Sequence, residues 1–168
     1  MNVFMPCATI EDSVRALDDK RLIKQILECK QIIDINIRVV GSNEKVCNTE
    51  FIGYERHPVV QHYREEPYGM DFLFIYGKAC CDEFEYRFEH EHALWKYFDL
   101  FHSSFGYCRT KYMYAEGSKN SPDCIRETDN EKVFELFKQK LIKKWDNDKY
   151  PPRWTNREKP SWYKGERK

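Results

Sequence analysis

Asp19-Lys20-Arg21-Leu22-Ile23-Lys24-Gln25-Ile26-Leu27-Glu28-Cys29-Lys30-Gln31-Ile32-Ile33 carries apolar residues three and four apart and has neither glycine nor proline, the pattern of an amphipathic helix. On a helical wheel, Leu22, Ile23, Ile26, Leu27, Cys29 and Ile33 share one arc and read as the core face. The other arc holds Lys20, Arg21, Lys24, Gln25 and Gln31, with Glu28 at its centre. A carboxylate among cations and amides suits an acid, a base or an electrostatic stabiliser acting on an anionic substrate. The same residues also suit a solvated helix surface, on which Lys24 and Glu28 form an i,i+4 pair worth a few tenths of a kcal/mol at most.

Outward from this stretch the chain continues to read as mainly α. Thr9-Ile10-Glu11-Asp12 has capping-box spacing and opens a helix expected to last to about Arg38. Gly41, Ser42, Asn43, Asn48 and Gly53 mark a loop between Val39 and Tyr54, and His57-Pro58 restarts order. Residues 67 to 101 read as one long helix, or two broken near Gly77, with Phe74, the Lys78 stem, Cys81, Phe84 and Phe88 on the core side. A loop over 103 to 128 leads to a second capping box, Thr128-Asp129-Asn130-Glu131. The helix that it opens buries Val133, Phe134, Phe137, Leu141 and Trp145. The prolines of Pro151-Pro152-Arg153-Trp154 and Lys159-Pro160-Ser161-Trp162-Tyr163-Lys164 forbid a continuous helix, which leaves an extended aromatic-basic arm over 146 to 168. The expected architecture is one compact helical domain, residues 1 to 168, with three or more helices and this arm.

The 168 residues carry no net charge, so no overall field draws the protein to DNA or to a membrane surface. Charge is nevertheless segregated. Six acids between Asp82 and Asp99 face only Arg87 and Lys96, whereas residues 131 to 168 hold twelve Lys and Arg against six acids. This basic quarter suits phosphate contact, or is simply a lysine-rich solvated surface. Seven cysteines without a C-x-x-C pair, and no apolar leader, are expected of reduced thiols in a cytoplasmic protein. The longest apolar runs, such as Phe72 to Tyr76, are too short to span a bilayer. His90-Glu91-His92 is a poor metal motif, because helical positions i and i+2 diverge. No metal and no cofactor are expected.

The run Asp19-x-Arg21-Leu22 followed by Glu28 resembles the corresponding helix of phage endonuclease V, the pyrimidine-dimer DNA glycosylase. There Asp-x-His-Leu precedes the catalytic glutamate at the same spacing. Pro160-Ser161-Trp162-Tyr163-Lys164 is likewise similar to that enzyme's Pro-Thr-Trp-Tyr-Lys arm. The whole chain also resembles a family of small phage and prokaryotic proteins, through Asp19, Lys20, Arg21, Lys24, Leu27, Glu28 and Gln31, then His57-Pro58, then Glu83, Tyr86, Arg87 and His92.

The resemblance implies a DNA glycosylase, with or without lyase activity at abasic sites, acting on a damaged or modified base in a phage-infected or prokaryotic cell. An amine would attack C1′ and form a Schiff base, with Glu28 as the carboxylate that stabilises the sugar cation. Endonuclease V uses the α-amine of a small residue exposed by methionine removal, whereas here Asn2 follows Met1. The nucleophile is therefore open between Met1, Lys20 and Lys24, and a water activated by Glu28 is a further option. Arg21, Gln31, His57, Arg87, His92, Trp162, Tyr163 and Lys164 are the candidates for nucleic-acid or phosphate contact. His57 can equally be a helix-start residue before proline, Arg87 a partner of Glu83 or Glu91, and the tryptophans a tail packed on the core. The alternative function is a non-catalytic binder of nucleic acid or a nucleotide, such as a phage protein that sequesters a signalling nucleotide through Lys20, Arg21 and Lys24.

Overall fold

A computed structural model describes residues 2–40, 54–102 and 129–165, and among them are six helices and no strand. They are α1 (Ile10–Ala16), α2 (Asp19–Val40), α3 (Pro58–Glu65), α4 (Gly69–Phe88), α5 (Trp95–His102) and α6 (Asn130–Asn147). The fold is mainly α, as the periodicity predicts. The loop expected over 103–128, and most of that over 39–54, lie outside the described residues. No described helix is long and apolar enough to cross a membrane.

α2 and α4 form the central pair, with α1, α3 and α5 all packed against α4. Ile26, Cys29, Ile33 and Leu22 from α2 meet Phe72, Tyr76 and Cys80 from α4 in one buried cluster. α6 contributes Val133, Phe137, Leu141 and Trp145, the stripe read from its sequence, while Phe134 is only half-buried. Asp129 caps it by accepting from the backbone N–H groups of Glu131 and Lys132.

Two helix breaks differ from expectation. The helix capped by Thr9 stops at Ala16, and Leu17 adopts an extended conformation (φ −69°, ψ 141°) before α2 begins. No glycine or proline marks this site. It is imposed by tertiary contacts: Leu17 is fully buried, and the Asp18 carboxylate accepts from Trp145 Nε1 (2.7 Å) and Arg21 Nη1 (3.2 Å). Conversely, α4 runs unbroken through Gly77. The chain turns instead at Glu89, which takes a left-handed conformation (φ 60°). Gly77 serves a close approach, since a Cβ there would lie 2.2 Å from the Phe98 ring of α5.

The chain ends complete the structure. Residues Val3, Phe4 and Met5 are buried in a non-helical segment, with the Phe4 ring edge-on to Phe137 of α6 (6.1 Å). The Phe4 N–H donates to Gln25 Oε1 on α2 (3.0 Å), and the Phe4 carbonyl accepts from the Tyr76 hydroxyl on α4 (2.7 Å). The C-terminal arm packs its rings back on α6: Trp154, Trp162 and Tyr163 all lie within 5.4 Å of Trp145, centroid to centroid.

Alanine is the better helix former, yet Gly77→Ala is expected to destabilise the protein by about 1–3 kcal/mol, because Phe98 is buried and has no space to retreat. A lower midpoint in urea unfolding with an unchanged slope would be the sign of it.

Candidate active site

Glu28 sits on α2 beneath the first residues of the chain and is 8% exposed. Its Oε2 accepts from the Asn2 backbone N–H (3.3 Å) and from Gln25 Nε2 (3.1 Å). Its Oε1 faces the Lys24 ammonium at 3.6 Å. Gln25, fully buried, also donates from Nε2 to the Asn2 carbonyl (2.8 Å). The carboxylate is thus desolvated, hydrogen-bonded and paired with one cation, which suits it to stabilise a developing positive charge.

α2 is rotated relative to the wheel. Ile23 and Leu27, expected in the core, are 37% and 46% exposed, whereas Arg21 and Gln25 are buried along with Glu28. The cause is the pair of chain ends: the N-terminal segment covers Gln25 and Glu28, and Asp148 at the end of α6 covers Arg21. Arg21 Nη1 bonds Asp148 as well as Asp18, and Lys20 Nζ reaches Asp148 Oδ1 at 3.2 Å. Gln31 is half-buried less than a turn beyond Glu28.

His57 caps α3, its Nδ1 accepting from the Val59 N–H (3.2 Å). That bond requires the neutral ring to carry its proton on Nε2, so Nε2 is a donor. Burial holds the His57 pKa below the usual histidine value, and the Glu28 charge opposes this. Lys24, His57 and the start of the chain are therefore what the structure gathers near Glu28. Met1 lies outside the described residues.

The remaining candidates make their contacts elsewhere. His92 accepts from the Leu94 N–H in the turn before α5 and lies edge-on to Phe84. Burial of that ring lowers its pKa, as does His90. Arg87, 1% exposed, donates to the carbonyls of Arg15 and Leu17, to Asp19 Oδ1 (3.0 Å) and to Glu83 Oε1 (2.8 Å). Glu83 in turn takes a two-point contact from Arg157 of the arm (2.9 and 2.8 Å), and Asp19 accepts from the hydroxyl and backbone N–H of Thr155. Tyr163 is 7% exposed and Trp162 half-buried against Trp145, while Lys164 is exposed. A cavity of about 440 Å³ opens within the arm, with Arg153, Trp154, Lys159 and Tyr163 in its walls, but Glu28 is not among its lining residues. Among the described residues no group of three or more His, Cys, Asp or Glu could hold a metal ion.

On the helical wheel Gln25 is one polar residue among several, and its i,i+3 spacing to Glu28 is the one sequence signal of its role. The sequence marks Asn2 as the residue after Met1 but carries no signal that its backbone meets Glu28.

A match to the family described as pyrimidine dimer DNA glycosylase spans residues 1–102, well over half of the chain. The protein therefore belongs to the pyrimidine dimer DNA glycosylase family, a family of DNA repair. The matched span contains Glu28, Lys24, His57 and Arg87, and stops short of α6 and the arm. No curated protein and no solved structure matches the chain.

The latch between arm and body is expected to open in acid. Burial raises the Glu83 pKa, but the bonds from Arg157 and Arg87 outweigh it and hold the carboxyl below its ordinary value of 4.5. Asp148 is likewise held below 3.8, chiefly by its bond from Arg21. Depressed carboxyl groups stabilise the fold above their unfolded pKa values, and this contribution is lost as pH falls through the folded ones. Tryptophan fluorescence, dominated by the cluster around Trp145, should report the loss below about pH 4, and Glu83→Gln should flatten that dependence.

Proposed function

We propose that the protein removes a damaged or modified base from DNA, with Glu28 as the carboxylate of the reaction and an amine at the start of the chain as its nucleophile. The observation that carries this reading is the 3.3 Å contact between the Asn2 backbone nitrogen and Glu28 Oε2, in a member of a glycosylase family. Of the other amines considered, Lys20 is engaged by Asp148, and Lys24 contacts Glu28 from the exposed side.

In this chemistry the amine nitrogen bonds to C1′ while the glycosidic bond breaks, and the base departs with the bonding electrons and gains a proton. Loss of the amine proton and opening of the sugar ring give a C1′–nitrogen Schiff base. Glu28 stabilises the cationic sugar and assists ring opening. Elimination of the 3′ phosphate from this intermediate would add strand scission. An α-amine suits the step because its ordinary pKa of about 8 leaves part of it neutral near pH 7. The bases acted on are taken as flipped from the duplex, with the exposed Lys143, Lys144 and Lys164 placed to meet phosphates. The alternative of a non-catalytic nucleotide binder is disfavoured, because Lys20 and Arg21 are paired with Asp148 and Lys24 with Glu28.

Incubation with ultraviolet-irradiated or abasic duplex in the presence of borohydride should trap a covalent adduct, and Glu28→Gln should lower base release by about a hundredfold or more. Peptide mass analysis of the adduct then identifies the amine as the chain's α-amine or Lys24. A wild-type protein that neither traps nor cleaves either DNA defeats the reading.

A further inference from the structure

We infer that Gln25 is a positioning residue that divides the labour of the two Glu28 oxygens, anchoring Oε2 and leaving Oε1 for the substrate. As a contribution to catalysis this rests on the glycosylase reading above.

The identity of each Gln25 amide atom is dictated by its partners. The Phe4 N–H can only donate, so the atom 3.0 Å from it is Oε1, and the Asn2 carbonyl can only accept, so the atom 2.8 Å from it is Nε2. An amide has two N–H groups. One goes to Asn2, and the other is directed at Glu28 Oε2 at 3.1 Å. With the Asn2 N–H, Oε2 then receives two donors, whereas among the described residues Oε1 has the ion-pair contact to Lys24, whose side chain is 60% exposed. The anchored oxygen is the one bonded to the buried Gln25 amide, and the oxygen left for the substrate is the one beside the exposed Lys24.

The same amide pairs with the backbone at residues 2 and 4 much as a neighbouring strand would. One fully buried side chain therefore fixes both the carboxylate and the segment that leads to the proposed amine. Two reacting groups held by a common rigid support keep their separation without further ordering at the moment of reaction. No other residue type meets all three partners. Glutamate would set an acceptor against the Asn2 carbonyl and a second carboxylate against Glu28, and methionine would make none of the bonds. Among the described residues the other titratable groups that face Glu28 are Lys24 and Cys29 on α2, His57 at the start of α3 and Tyr76 on α4.

The test compares Gln25→Met, Gln25→Glu and, as a control on the same segment, Tyr76→Phe, which removes the bond to the Phe4 carbonyl without touching Glu28. Two quantities are measured on protein shown to be folded by circular dichroism: base-release kinetics on irradiated duplex across pH, and the titration of the Glu28 carboxyl by carbon NMR. Gln25→Met should lower kcat about tenfold to a hundredfold with little change in KM. It should also move the acid limb of the profile and the NMR midpoint to higher pH, because donors to the charged form have been removed. Gln25→Glu should move both further, and Tyr76→Phe should leave the midpoint in place. Folded Gln25 variants with wild-type kcat and an unmoved midpoint overturn the inference. A wild-type protein inactive on DNA defeats the glycosylase reading instead, and the NMR midpoints then decide the role of Gln25 alone.

Discussion

The Arg87 guanidinium is the contact on which the arrangement of helices depends. Burying a guanidinium carries a desolvation cost of several kcal/mol that only a full set of partners can offset. Arg87 obtains them from three places. The carbonyls of Arg15 and Leu17 are left without helical partners where α1 ends, and Glu83 and Asp19 supply the charge. The end of α1, the start of α2 and the last turns of α4 are thereby drawn to one point. The two carboxylates keep oxygens to spare, and these hold Arg157 and Thr155 of the arm. Removing Arg87 alone would leave Glu83 to Arg157 and Asp19 to Thr155 and would free the two carbonyls, so these contacts act as one unit.

The orientation of α2 follows from this. Asp18, Asp19 and Arg21 fasten its first turns to Trp145, Arg87 and Asp148, and these contacts decide which side turns inward. The side beyond them is then covered by residues 2 to 5. The Glu28 environment is thus assembled from segments distant in sequence: a helix, the non-helical residues 2 to 5, and the capped beginning of α3. Burial pushes the Asp18 carboxyl above its usual range, against the bonds from Trp145 and Arg21, a cost accepted for the break between α1 and α2.

Features carried by local chemistry were legible in the sequence. The cap at Thr9, the start of α3 after His57-Pro58 and the apolar stripe of α6 follow from spacing alone, and all are present. What depended on distant residues was not legible. The break at Leu17 and Asp18 has no local signal, since it is made by Trp145 and Arg87. Gly77 looked like an interruption because a glycine's own preferences were visible and the Phe98 ring was not. Of the candidate site, the nearness of Lys24 to Glu28 could be read from the helix period. The wheel still assigned Ile23 and Leu27 to the core, because it could not show that residues 2 to 5 and Asp148 would cover the polar edge. The aromatic arm displayed its composition but not the Trp145 ring that most of it packs against.

The latch also bears on how the protein is made. Synthesis proceeds from the amino terminus, and Arg157 is added long after Asp19 and Glu83. Until residues 145 to 157 have emerged, Trp145, Thr155 and Arg157 are missing from positions that the acids of the first hundred residues require. The nascent helices can collapse around their apolar faces during that interval, but the final packing of α1 on α2 must wait. Packing of the part that contains Glu28 is therefore tied to synthesis through Arg157, and a ribosome that stalls within α6 leaves Asp19 and Glu83 without their partners from the arm.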